Sequence, residues 1–128
     1  MAYKIVEGLF YTKTDEWVKV EGETATVGIT DYAQDKLGDI VFVEEATSGK
    51  KVAKEEKVTT IESVKAASDI NAPVSGEITE VNKSVVANPA IINNDPFGEG
   101  WLFKIKMESE NELKDLLDAK GYEEYRKE

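Results

Sequence analysis

A chain of 128 residues with 41% hydrophobic and 33% charged side chains has a globular composition, and one domain spanning residues 1–128 is expected. Its 26 Asp+Glu against 16 Lys+Arg leave a net charge of -10, which disfavours nucleic acid and anionic membrane surfaces as partners. Histidine and cysteine are both absent, which removes Cys/His zinc sites, iron–sulfur ligation, disulfides, thiol nucleophiles and every histidine-based triad.

Met1-Ala2-Tyr3-Lys4 begins no signal peptide, no apolar run is long enough to cross a membrane, and no Arg-rich transit segment precedes the fold, so a cytoplasmic protein is expected. The short apolar run Lys4–Tyr11 leads to a turn at Thr14-Asp15-Glu16. Trp17–Val20 and Thr24–Ile29 flank Glu21-Gly22-Glu23 and read as a hairpin. A brief helix over Tyr32–Leu37 follows, with Asp31 as candidate cap, Gln34 at the third helical position and Gly38 at its end. The unbroken apolar run in Asp39–Glu44 predicts a strand buried on both faces.

Glu45–Lys57 is polar and reads as loop and exposed edge; Val58–Ile61 is β-branched throughout and reads as a strand. Glu77–Val81 is another β-rich run, followed by a predicted loop from Asn82 through Asn88-Pro89 to Gly100, and Trp101–Met107 alternates as a closing strand. Near the C-terminus Ser109 and Glu112 have capping-box spacing, Leu113, Leu116 and Leu117 form an apolar stripe, and Gly121 punctuates before a short helical stretch over Tyr122–Lys127. Trp17, Phe42, Trp101 and Phe103 are assigned to the core, and the C-terminal tail to packing. Short strands with frequent turns predict a mainly β barrel or sandwich with helical additions.

Lys65 falls between two strand-like segments, in Glu62-Ser63-Val64-Lys65-Ala66-Ala67-Ser68-Asp69. Alanines and a serine there cannot shield it, so the chain holds out a primary amine on a four-carbon stem. Such an amine suits acylation, which removes its charge and lengthens the arm. Most lysines are simply solvated surface residues, and the context of this one decides between the two readings.

That context resembles the lipoyl-attachment motif of the glycine cleavage system H proteins. Biotin carriers flank their lysine with methionines, where Val64 and Ala66 stand here; lipoyl domains of 2-oxoacid dehydrogenases usually have an Asp-Lys-Ala core, from which Val64 also departs. The likeness runs from about Leu9 to Tyr125. Glu16-Trp17-Val18 resembles the family's His-Glu-Trp-Val, and Val27-Gly28-Ile29-Thr30 its Val-Gly-Ile-Thr. Leu37–Val43, Pro73-Val74-Ser75-Gly76-Glu77, Asn93-Asn94-Asp95-Pro96 and Gly100-Trp101-Leu102 match further on, in order. Asp15 replaces the usual histidine, Glu45-Ala46-Thr47-Ser48-Gly49 replaces Leu-Pro-x-x-Gly, and Glu55 replaces a common turn glycine, which predicts a rearranged loop between Glu44 and Val58.

The resemblance implies a barrel-sandwich hybrid of the lipoyl/biotinyl-carrier kind, with a short internal helix, C-terminal helices and the modified lysine on an exposed hairpin. It implies a carrier without chemistry of its own, bearing lipoate in amide linkage on Lys65. Its partners would be a pyridoxal-phosphate glycine decarboxylase, a tetrahydrofolate-dependent aminomethyltransferase, a FAD-dependent dihydrolipoyl dehydrogenase and a lipoylating enzyme that reads Glu62. The loaded arm would fold back to Thr14, Glu16 and Asp69, and a monomer is expected. Competing readings are an H-like paralogue in lipoyl transfer, an acidic interaction module that never carries lipoate, and an independent enzyme. The last has few reagents without histidine, cysteine or a phosphate-cradling Gly-rich loop.

Overall fold

The computed structural model describes residues 3–127; Met1, Ala2 and Glu128 lie outside it, and with them the first half of the Met1–Lys4 opening. The strands are β1 (Phe10–Tyr11), β2 (Glu16–Glu21), β3 (Thr24–Ile29), β4 (Ile40–Val43), β5 (Lys51–Val52), β6 (Lys57–Ser63), β7 (Ala67–Asn71), β8 (Gly76–Val81) and β9 (Phe103–Met107). They form a six-stranded sheet in the order β1-β2-β3-β9-β8-β5 and a three-stranded sheet in the order β4-β6-β7. All pairings are antiparallel.

The two sheets close on one core. Val18, Val27, Ile78, Phe103 and Ile105 come from the large sheet, and Ile40, Val43, Ile61 and Ile70 from the small one. This is the expected mainly β barrel-sandwich, and β-branched side chains at alternate positions fill it because they fit a pleated half-buried surface. The predicted hairpin forms with Val18 opposite Val27 and Gly22 at φ 62° in the turn. A second apolar cluster joins Leu9, Tyr11 and Trp17 to Ala119 and Tyr122 of the C-terminal helix α4 (Ala119–Tyr125). Tyr11 stacks on Tyr122 at 4.6 Å, so the tail does pack.

Several local expectations need correction. Helix α1 (Asp31–Leu37) is capped by Thr30, whose hydroxyl accepts from the Ala33 N–H; Asp31 is its first residue and instead accepts from Gln34. Strand β4 is not buried on both faces: a bulge between Ile40 and Phe42 keeps Ile40 and Val43 inside and turns Val41 and Phe42 outward. Phe42 is therefore a surface residue, 49% exposed, whereas Trp17 and Phe103 are core and Trp101 is half-buried.

The stretch from Asn82 holds two short helices, α2 (Lys83–Ala87) and α3 (Ala90–Asn94), that send Val85 and Ile92 into the core. Ser109 and Glu112 do not form a capping box. Ser109 accepts from the Asn111 N–H, at the start of a 3-10 helix over Glu110–Asp115, and Glu112 reaches across to both the N–H and hydroxyl of Ser75. Gly121 does not break the chain but lies within α4, its N–H donated to the capping carboxylate of Asp118.

The loop between Glu44 and Val58 keeps a left-handed turn without its glycine. Glu55 adopts φ 73°, and its N–H reaches the Ala72 carbonyl at 2.7 Å. A β-carbon in this region costs about 1–2 kcal/mol, against about 0.5–1 kcal/mol for the greater unfolded freedom of glycine. Glu55→Gly is expected to stabilise the protein by about 0.5 kcal/mol in urea unfolding. A midpoint below that of wild type would rule this strain out.

Candidate functional site: the Lys65 tip and the edge of β7

Strands β6 and β7 pair from Lys57/Asn71 up to Glu62/Ala67 and leave Val64-Lys65-Ala66 as the connecting tip. Ser63 builds this turn. Its N–H donates to the Ala66 carbonyl at 2.8 Å, and its hydroxyl oxygen accepts from the Lys65 and Ala66 N–H groups at 3.1 Å. A serine in this place satisfies amides that a turn would leave to water. The tip is also braced from outside, because the Val64 N–H donates to the Asp39 carbonyl at 3.0 Å.

Asn93, at the end of α3, holds that brace. Its side-chain amide donates to the Gln34 side chain at 2.9 Å and the Gly38 carbonyl at 3.0 Å, and its oxygen accepts from the Ile40 N–H at 2.9 Å. Gly38 has φ 80°, which favours glycine, and its missing side chain matters a second time. A β-carbon there would come within 2.8 Å of Lys65 Cε and 3.6 Å of Nζ. The lysine stem thus passes directly over Gly38, at the end of α1. Lys65 is exposed, and among the described residues its Nζ joins no ion pair and no hydrogen bond. Such an amine is open to an acyl donor.

The other predicted residues divide. Glu62 sits on β6 three residues before Lys65, exposed, and paired in register with Phe42 on one side and Ala67 on the other. Asp69 is exposed on β7, 3.3 Å from the Thr60 hydroxyl and 3.8 Å from Lys57 Nζ. Thr14 and Glu16 come together at the far end of β7. The Glu16 carboxylate is buried, accepting from the Thr12 and Thr14 hydroxyls at 2.5 and 2.7 Å and from the Asn71 N–H at 3.3 Å.

Strand β7 is an edge of the small sheet, so Glu16 ties this edge to the start of β2 in the large one. Asn71 lies six residues beyond Lys65, roughly 20 Å along the strand at about 3.3 Å per residue. Asp69, on β7, lies between the Lys65 tip and the Asn71 N–H that Glu16 accepts. Asp69 and Glu16 therefore stand at different heights along β7 and do not form one compact pocket. Burial pushes the Glu16 carboxyl above the ordinary carboxylate range, against the opposing pull of the Thr12, Thr14 and Asn71 hydrogen bonds.

One cluster had no signal in the sequence. Asp15 adopts φ 74° and accepts from Arg126 at 2.8 and 2.6 Å and from the Tyr122 hydroxyl at 2.8 Å. The same hydroxyl meets Thr30 at 2.8 Å, and the Arg126 guanidinium lies 4.3 Å over the Tyr32 ring. Burial works against the charge on Arg126; the Asp15 hydrogen bond and charge outweigh it and raise its pKa. Burial likewise pushes the Tyr122 hydroxyl up. This network pins the end of α4 to the turn that carries Thr14 and Glu16. Asp15, where the resemblance expects a histidine, bonds Arg126 and Tyr122 with its carboxylate.

Comparison with known proteins identifies the family. The family described as glycine cleavage H-protein matches residues 9–128. A glycine cleavage system H protein of Thermus thermophilus is 56% identical over 115 residues, covering 90% of each chain. That of Thermotoga maritima is 55% identical over 115 residues, covering 90% of this chain and 93% of the relative. Among solved structures, a glycine cleavage system H protein from Mycobacterium marinum superposes with a TM-score of 0.85 at 38% identity, covering 94% of this chain and 97% of the other. With most of its length matched by the family and by relatives above half identity, the chain belongs to the glycine cleavage H-protein family, a carrier component of that system and not an enzyme in itself.

Proposed function

We propose that Lys65 bears a lipoyl group and that the protein carries an aminomethyl unit from glycine decarboxylase to the tetrahydrofolate-dependent aminomethyltransferase, with a flavin-dependent dehydrogenase restoring the carrier. The observation that carries this reading is the exposed amine on a braced β-turn, without a partner among the described residues and with its stem passing over Gly38. A bound lipoyl group would supply a disulfide that accepts two electrons and an aminomethyl cargo and is regenerated by thiol–disulfide exchange.

The chain's own residues hold, orient and shield. Ser63 and Asn93 keep the tip in one conformation, which limits the volume the arm explores and raises its local concentration at a docked partner. Asp69, then Thr14 and Glu16, offer acceptors along β7 to the ammonium of the cargo. A charge-assisted hydrogen bond at the buried Glu16 would be stronger than one in open water. An approaching cation also favours the ionised carboxylate, opposing the effect of burial. Glu62, exposed beside the tip, presents a charge for the lipoylating enzyme to read. A cytoplasmic monomer fits these roles.

Intact mass of the protein recovered from cells supplied with lipoate tests the reading. The expected result is one lipoyl adduct, mapped to Lys65 by peptide sequencing. A chain that stays unmodified beside a lipoylated control carrier would favour the acidic interaction module instead.

A further inference from the structure

Large hydrophobic side chains are exposed at four places among the described residues, and three of them surround Lys65: Val64 at 67%, Val41 at 56% and Phe42 at 49%. The sheet register brings them together. Ile40 pairs with Ser63 and Phe42 with Glu62, while Val64 is bonded to Asp39. Ala67, also exposed, continues the row Phe42–Glu62–Ala67 across all three strands of the small sheet.

The bulge is what puts Val41 beside Phe42. A regular strand would turn one of the two into the core, whereas the extra residue sends both outward. Exposed apolar side chains scattered singly carry no meaning, but a contiguous group does. The rim is acidic. Asp39, Glu44 and Glu62 are exposed, and none of them joins an ion pair among the described residues.

We propose that Val41, Phe42 and Val64, rimmed by Asp39, Glu44 and Glu62, form the docking face for the enzyme that acylates Lys65. That enzyme meets the face with an apolar socket bordered by lysine and arginine. The proposal rests on the reading of Lys65 as the acyl-bearing residue. A second copy of this chain fits poorly, because pairing would bring two acidic rims together on molecules that each carry a net charge of -10. Three side chains are also far short of the roughly 800 Å² per partner of a standard stable interface. A small apolar centre with a charged rim suits a partner that must bind, act and leave.

The test is steady-state acylation by a lipoate–protein ligase with ATP and lipoate, comparing wild type with Phe42→Ser and Val64→Thr. Both positions are exposed, so both variants are expected to unfold at the wild-type temperature. The KM for the carrier should rise about tenfold in each with kcat unchanged, as for residues at the centre of an interface. The wild-type KM should also rise with ionic strength. Lys65→Arg protein should inhibit competitively, and the double variant Phe42→Ser/Lys65→Arg should not.

A wild type that the ligase leaves unmodified overturns the Lys65 reading and this proposal with it. A modified wild type alongside Phe42→Ser with the same KM overturns this proposal alone. Sedimentation that finds wild type dimeric and Phe42→Ser monomeric, with equal ligase kinetics, assigns the face to a second copy and overturns it too.

Discussion

Lys65→Arg is expected to reduce glycine-dependent carbon dioxide release to background when the protein is combined with the three partner enzymes. Arginine keeps the positive charge but presents a guanidinium that stays protonated at any working pH, so it lacks the free amine that an activated acyl group requires. The fold should not notice. Lys65 is exposed, and the backbone of the tip is held by Ser63 and by the Asp39 carbonyl, not by the lysine side chain. Unfolding free energy should stay within about 0.5 kcal/mol of wild type. Loss of turnover in an unaltered fold separates an attachment site from a structural lysine. Full activity in the variant would move the attachment point elsewhere.

Glu16→Ala is expected to shorten the lifetime of the loaded carrier, read as ammonia release from the isolated protein, by about tenfold or more without changing lipoylation. The estimate takes a hydrogen bond to a charged group as about 1.5–3 kcal/mol. Glu16→Gln separates charge from packing. Its amide oxygen can take the place of the carboxylate oxygen that accepts from the Thr12 and Thr14 hydroxyls, but its NH2 then faces the Asn71 N–H, two donors together, and it has no charge for an ammonium. If the charge or the Asn71 bond governs the lifetime, Gln behaves like Ala; if the Thr12 and Thr14 bonds suffice, Gln behaves like wild type. Ammonia release at the wild-type rate in both would remove Glu16 from the path.

The same carboxyl has a signature in stability. Its folded pKa is raised by burial, so its stabilising contribution is fully present below the ordinary carboxylate value of about 4 and is lost as pH rises through the raised value. Glu16→Gln has no such dependence. The unfolding free energy of wild type relative to Glu16→Gln should therefore decline as pH rises above about 4.

What the residues determined by themselves were the features whose causes are local. A β-branched run on one side of Lys65, small residues around it and Ser63 within it suffice for an exposed hairpin tip, because a turn needs only neighbours in sequence. The Trp17–Ile29 hairpin was legible for the same reason: two apolar runs and a glycine at the position with φ 62° fix it. The order of motifs carried the family.

What only the tertiary structure decided depends on distant partners. The apolar run Ile40–Val43 reads as fully buried, and its pairing with Ser63 and Glu62 alone reveals the bulge that turns Val41 and Phe42 outward. Glu112 has capping-box spacing, but Ser75 lies within reach and the carboxylate takes both of its donors instead. Asp15 looked like a lost histidine until the fold brought Arg126 and Tyr122 to it across more than a hundred residues. Only the packed sheets place Thr14 and Glu16, from the start of β2, against Asn71 at the far end of the strand that carries Asp69. Hydrogen bonds and burial are satisfied by whatever the chain brings near, and only the packed sheets determine what is near.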